Sequence, residues 1–176
     1  ELKSVVAHES GHLFQRHLLF FDFSMFGFLE LGRLILIGLS LGISEVDFDL
    51  YSQLGIPVML ISLLLFLRFG IGFLSRNFER QADCHAYTRN GLLPLANALY
   101  IVAWISCIDP QRSNWHHWGI QERTDFLTNC AANPKLVGLH HSRVRRIQRI
   151  CIALAVTLLM VNSYLETESF EIRALL

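Results

Sequence analysis

His8-Glu9-Ser10-Gly11-His12 lies near the start of a chain of 176 residues, and the reading of the fold turns on what this stretch does. Residues 1–19 read as a helix. Val5, Val6 and Leu13 recur with the two histidines at helical spacing, and no Gly or Pro breaks the first two turns. Four residues apart on a helix, His8 and His12 share one face. Two imidazoles so placed can hold one Zn²⁺, with Glu9 beside them as a general base for attack of water on a peptide carbonyl. The spacing alone does not separate such a centre from a polar helix face of the kind Lys3 and Gln15 also make. Further ligands have to be found elsewhere in the chain.

Working outward, 52% of the residues are hydrophobic and 17% charged, which brings a membrane protein into consideration. The formal net charge of zero argues against nucleic-acid binding, which leaves a basic surplus. Residues 20–43 are almost wholly apolar, interrupted by Asp22, Glu30 and Arg33, and residues 56–74 carry Arg68 as their only charge. Each run is close to the ~20 residues that cross a bilayer core. Residues 44–53 between them read as an acidic loop. Residues 75–90 read as a polar helix and 92–108 as an apolar one ending at Asp109-Pro110. A helix is expected around 121–129, a turn at Asn133-Pro134, and a third spanning segment over 150–165.

Arginine placement gives these segments a topology. Lys3 and Arg16 precede the first span, Arg76, Arg80 and Arg89 follow the second, and four arginines precede the third. All belong on the cytoplasmic side, with residues 44–53 outside. The rival reading makes the same segments core helices of a soluble protein; two adjacent runs of this length argue against it. Charges at membrane depth then have to snorkel, pair or face the protein.

Glu79-Arg80-Gln81-Ala82-Asp83 again sets two groups of interest four residues apart on one helix face. Glu79 can complete a His/His/Glu zinc set, and Asp83 can accept a hydrogen bond from a ligand imidazole. The alternative is a solvated helix interleaved with Arg76, Arg80 and Arg89. Topology favours the metal: an out-and-back pair of spans returns residue 79 to the side of His8.

In order along the chain, HESGH at 8–12, the apolar pair, NFERQAD at 77–83, His117-Trp118-Gly119-Ile120-Gln121-Glu122-Arg123 and the basic run from Ser142 resemble the HtpX-like and CAAX prenyl protease-like membrane zinc metallopeptidases. That resemblance covers most of the chain. It implies a mainly α, integral membrane metallopeptidase domain over residues 1–176, with a zincin-type HExxH helix, one zinc per chain and protein or peptide substrates. The ligands are then His8, His12 and Glu79, with Glu9 as base and Asp83 in support. His117 matches the family's downstream active-site histidine and Arg123 an arginine that organises the site. Trp118 departs from the family pattern, standing where Pro is usual. The resemblance also places the protein in a bacterial-type inner membrane with its site facing the cytoplasm. The 92–108 helix then packs without spanning, because a crossing would carry His117 away from His8.

Other readings stay in view. His116 and His117, beside Trp115 and Trp118, also suit an interfacial aromatic patch. His140 and His141 read as surface or headgroup-level residues, and His17 and His85 as helix-face residues. Cys84, Cys107, Cys130 and Cys151 form no CxxC pair and read as small apolar residues in the interior. A membrane diiron oxidase needs paired His boxes, and only His8 and His12 make one. A non-catalytic scaffold would be expected to have lost a ligand or the base, and both are present. The chain begins at Glu1 with no basic n-region or cleavage site, as a piece of a longer protein does.

Overall fold

The computed structural model describes the backbone of residues 1–42 and 48–175, and the side chains of residues 1–37 and 55–167. Every element among them is helical: α1 Leu2–Phe14, α2 His17–Gly42, α3 Phe48–Leu65, a π-helical turn Phe66–Ile71, α4 Gly72–Asn90, α5 Leu92–Ile105, α6 Ile120–Ala132 and α7 Lys135–Leu175. The chain divides into two compact units, one of residues 1–19 and 68–147, the other of residues 20–67 and 148–176.

In the first unit α1 lies along α4, and Gly11 makes the close approach possible. A Cβ at Gly11 would sit 3.0 Å from Ala82 Cα and 3.2 Å from His85 Cβ. The glycine of the HESGH stretch is therefore a contact surface for the helix that carries Glu79. Gly91, at φ 81°, turns the chain from α4 into α5, a backbone region glycine occupies freely. Ala7, Ala86, Leu95, Leu99 and Leu127 then form the apolar centre between α1, α4, α5 and α6. Gly11→Ala is expected to force α1 away from α4 and to cost roughly 1–3 kcal/mol, as overpacking of a tight contact does. Thermal unfolding of the variant checks this, and an unchanged midpoint would show that α1 has room to spare.

The second unit holds the apolar helices. Gly27 faces Ala155, where a Cβ would come within 3.4 Å, and Phe28 stacks on Phe66 with centroids 4.5 Å apart. Two of the charges in the expected spans, Glu30 and Arg33, have polar partners. Asn162, fully buried, donates to Glu30 O at 2.8 Å and to Glu30 Oε2 at 2.6 Å, and Arg33 pairs with Glu166 and Glu30. Two helices among the described residues are long and apolar enough to cross a membrane, within Gly55–Asn90 and Lys135–Thr167. Only 11% and 17% of their apolar stretches is buried, which is not how the core helix of a soluble protein sits. They contain the expected 56–74 and 150–165 segments. The expected 20–43 segment lies in α2 and extends beyond the residues whose side chains are described.

Three local expectations change. The helix expected over 1–19 breaks at Gln15-Arg16, with Arg16 at φ 55°, and a new helix starts at His17. Of the acidic loop expected over 44–53, residues 44–47 lie outside the described residues, while 48–53 open α3, nothing in their sequence stopping a helix. The apolar helix ends at Ile105 rather than Ile108, with Cys107 at φ 53°. At 14 residues it is about 21 Å long, shorter than the ~30 Å hydrocarbon core.

Candidate metal centre

The three residues chosen from sequence spacing converge. His8 Nε2 and His12 Nε2 lie 3.2 Å apart. His12 Nε2 is 3.3 Å from Glu79 Oε1, and His8 Nε2 is 3.5 Å from Glu79 Oε2. Ligands about 2.0–2.2 Å from a tetrahedral zinc are separated from one another by roughly 3.3 Å. Two imidazole nitrogens and a carboxylate oxygen at these spacings therefore have the chemistry and the dimensions of a zinc site, and the residues fit the ion.

Polar groups stand behind the residues of this cluster. Asp83 Oδ1 is 3.0 Å from His8 Nδ1, which directs the other nitrogen of that ring toward the centre. Arg123, from the first turn of α6, makes a two-pronged pair with Asp83 at 2.8 and 2.7 Å and reaches Glu79 at 3.5 Å. Asp83 is fully buried and Arg123 nearly so. Burial opposes ionisation of Glu79, yet the His117, His12 and His8 rings and the Arg123 guanidinium hold its carboxyl well below the usual carboxylate range. Burial likewise opposes a proton on His8, but the Asp83 and Glu79 carboxylates outweigh it and raise that ring to about 9. The cluster attracts positive charge to the point between its ligands.

His117 comes from the loop between α5 and α6. Its Nδ1 stands 3.4 Å from Glu79 Oε2. Asn114 shapes this loop: its Oδ1 accepts from the backbone N–H groups of His116 and His117 at 3.0 and 2.6 Å. Trp118, the departure from the family pattern, lies against the guanidinium groups of Arg76 and Arg80 at 4.8 and 4.6 Å from the ring centroid. Cation–π contact thus anchors the loop without proline. His8, His12, Glu79, Glu9 and His117 line a cavity of about 460 Å³. Leu95, Ala98, Leu99 and Val102 of α5 add an apolar part of its wall.

Several residues read otherwise in the sequence belong to this surround. His17, read as a helix-face residue, is buried. It stacks on Phe78 with centroids 4.3 Å apart, and burial pushes its ring down to about 4. Its Nδ1 meets His12 Nδ1 at 2.8 Å and its Nε2 meets Gln81 Oε1 at 2.9 Å. His140 is buried too, donating from Nε2 to Asn77 O at 3.1 Å, and His141 takes a hydrogen bond from Gln81. Both histidines link α7 to α4, His140 buried and His141 half-buried. Gln81 and Asn114 gave no signal in the sequence, since neither sits at ligand spacing. Cys84 and Cys130 are buried as expected, Cys151 is half-buried and Cys107 is exposed beyond the end of α5.

Among the described residues, a helical scaffold brings two histidines and a glutamate together on two facing helices, with the Glu9 carboxylate lining the same cavity, an arrangement that fits the metallopeptidase class. The family model for peptidase family M48 matches residues 1–154, and the chain belongs to that family. Membership bears out the resemblance read from the motifs and makes the protein a zinc-dependent metallopeptidase family member whose substrates are proteins or peptides. Its apolar helices suggest membrane association. Comparison with curated proteins and with solved structures returns no match.

Proposed function

We propose that this chain is a membrane-embedded zinc endopeptidase that hydrolyses membrane-associated proteins, residues 1–176 acting as one metallopeptidase domain. The convergence of His8 Nε2, His12 Nε2 and the Glu79 carboxylate at tetrahedral spacing carries the reading. In this reading those three residues hold a single zinc ion. The bound ion supplies Lewis acidity toward water and the substrate carbonyl. Glu9, exposed and lining the cavity, takes the proton of the attacking water on its carboxylate and passes it to the leaving amine. His117 faces the same end of the cavity and donates to the oxygen on which charge develops. Asp83 and Arg123 keep the His8 ring and Glu79 in place.

The membrane setting rests on the outward apolar faces of the two long helices and on α5, whose Leu93, Trp104 and Ile105 are exposed beside the cavity wall. Lipid covers such a surface at less cost than water does. With the arginines on the cytoplasmic side, the site faces the cytoplasm of a bacterial-type inner membrane. Polypeptide segments at the bilayer surface are then the substrates within reach.

Metal analysis of the purified protein tests the ligand set. The wild type is expected to hold one zinc ion per chain, and Glu79→Gln to lose most of it after dialysis against a weak chelator. Peptide hydrolysis by Glu79→Gln should fall with the metal and should not return on addition of zinc at micromolar levels. Tight equimolar zinc retained by Glu79→Gln would remove Glu79 from the ligand set.

A further inference from the structure

We propose that His17 is a positioning residue that fixes the proton of His12 on Nδ1, and so keeps His12 Nε2 free for the metal. This rests on the ligand reading above. The first observation is the break in the chain. On an unbroken helix, residues five apart point about 140° away from each other, and His12 and His17 could not touch. Arg16, at φ 55°, adopts a left-handed conformation uncommon for a residue with a side chain. That turn brings His17 back onto His12, with Nδ1 to Nδ1 at 2.8 Å.

The second observation is the direction of the hydrogen bonds. Gln81 Oε1 can only accept, so the His17 Nε2 that meets it at 2.9 Å carries the proton. A His12 ring that turns Nε2 to the metal carries its one proton on Nδ1, and the 2.8 Å contact sets the bare Nδ1 of His17 to accept it. The order continues outward: the Gln81 amide N–H groups donate to Gln15 Oε1 at 3.3 Å and to His141 Nδ1 at 3.1 Å. Phe78, stacked on His17 at an interplanar angle of 3°, holds the ring in the plane this geometry needs. His8 thus has an acidic partner behind it and His12 a histidine.

Zinc affinity measured by chelator competition, with folding checked by thermal unfolding, reads the relay. His17→Leu is expected to weaken zinc binding about 10–100-fold, the usual effect of losing a group behind a metal-bound histidine. His17→Asn, whose Oδ1 can accept from His12, should recover most of that loss. His17→Lys, which only donates, should not. Arg16→Gly, which adopts the same turn without strain, should bind zinc as the wild type does. Should the Leu variant fail to fold, nitrogen-15 NMR of histidine-labelled, zinc-loaded wild type gives the answer directly: His17 is expected neutral with its proton on Nε2. A proton on His17 Nδ1 overturns the proposal, as does a His17→Asn variant no better than His17→Leu. Absence of zinc from the wild type overturns the ligand reading and this inference with it. Equal zinc affinity in wild type and folded His17→Leu overturns this inference alone.

Discussion

Glu9→Gln is expected to keep its zinc and lose its activity. The substitution preserves shape and removes a carboxylate that can take a proton. Glu9 stands next to His8 in α1 but outside the ligand set, exposed at the cavity, so the ion should stay bound at the wild-type level. General base catalysis contributes typically 10²–10⁴-fold, and hydrolysis of an internally quenched peptide should fall by about that factor. The loss should appear in kcat, with KM little changed, because Glu9 acts on the attacking water rather than on bound substrate. Full activity in the variant would show that another group takes the proton and would return the chain to the reading of a scaffold with a metal. The same variant in membranes should retain its natural substrates long enough for them to be identified.

How much of this was legible in the sequence depends on the range over which each signal acts. His8, His12, Glu79 and Asp83 were readable because each pair obeys the i, i+4 rule of a helix, and the apolar runs between them made the return to one side a matter of counting. The convergence of His8, His12 and Glu79 into one cluster agrees with that count. The turn at Arg16 was not readable, since Gln15-Arg16-His17 contains neither Gly nor Pro and the left-handed residue is an arginine. That single omission also hid His17, which looked like one more position on a longer helix. His140 and His141 were misread for a related reason. Their hydrogen bonds go to Asn77 O and Gln81, more than fifty residues away in sequence, and no local periodicity reports such a partner. Trp118 shows the opposite case. Its departure from the family pattern was plain, but what replaces proline, two guanidinium groups against an indole ring, depends on helix α4 lying beside the loop.

Arg123→Leu should be among the most destabilising single changes in the first unit, and the reason is what it leaves behind. Asp83 is fully buried, and the Arg123 guanidinium meets both of its oxygens. Burial alone would favour a neutral Asp83. The charge on Arg123, with the His8 contact, outweighs this and holds the carboxyl below its ordinary range. Removing one partner of a buried pair costs about 3–5 kcal/mol, because the remaining charge has lost both water and counter-ion. Asp83→Asn combined with Arg123→Leu removes the stranded charge as well. The double variant is therefore expected to be more stable than Arg123→Leu alone, although it carries one more substitution. Its amide oxygen can still accept from His8 Nδ1, so zinc binding should fall less than it does when Asp83 becomes Leu. Thermal unfolding of wild type, both single variants and the double variant completes the cycle. Additive losses would mean that the pair does not act as a unit, and the tie between α4 and α6 behind the metal ligands would have to be sought in the apolar contacts around Leu127 instead.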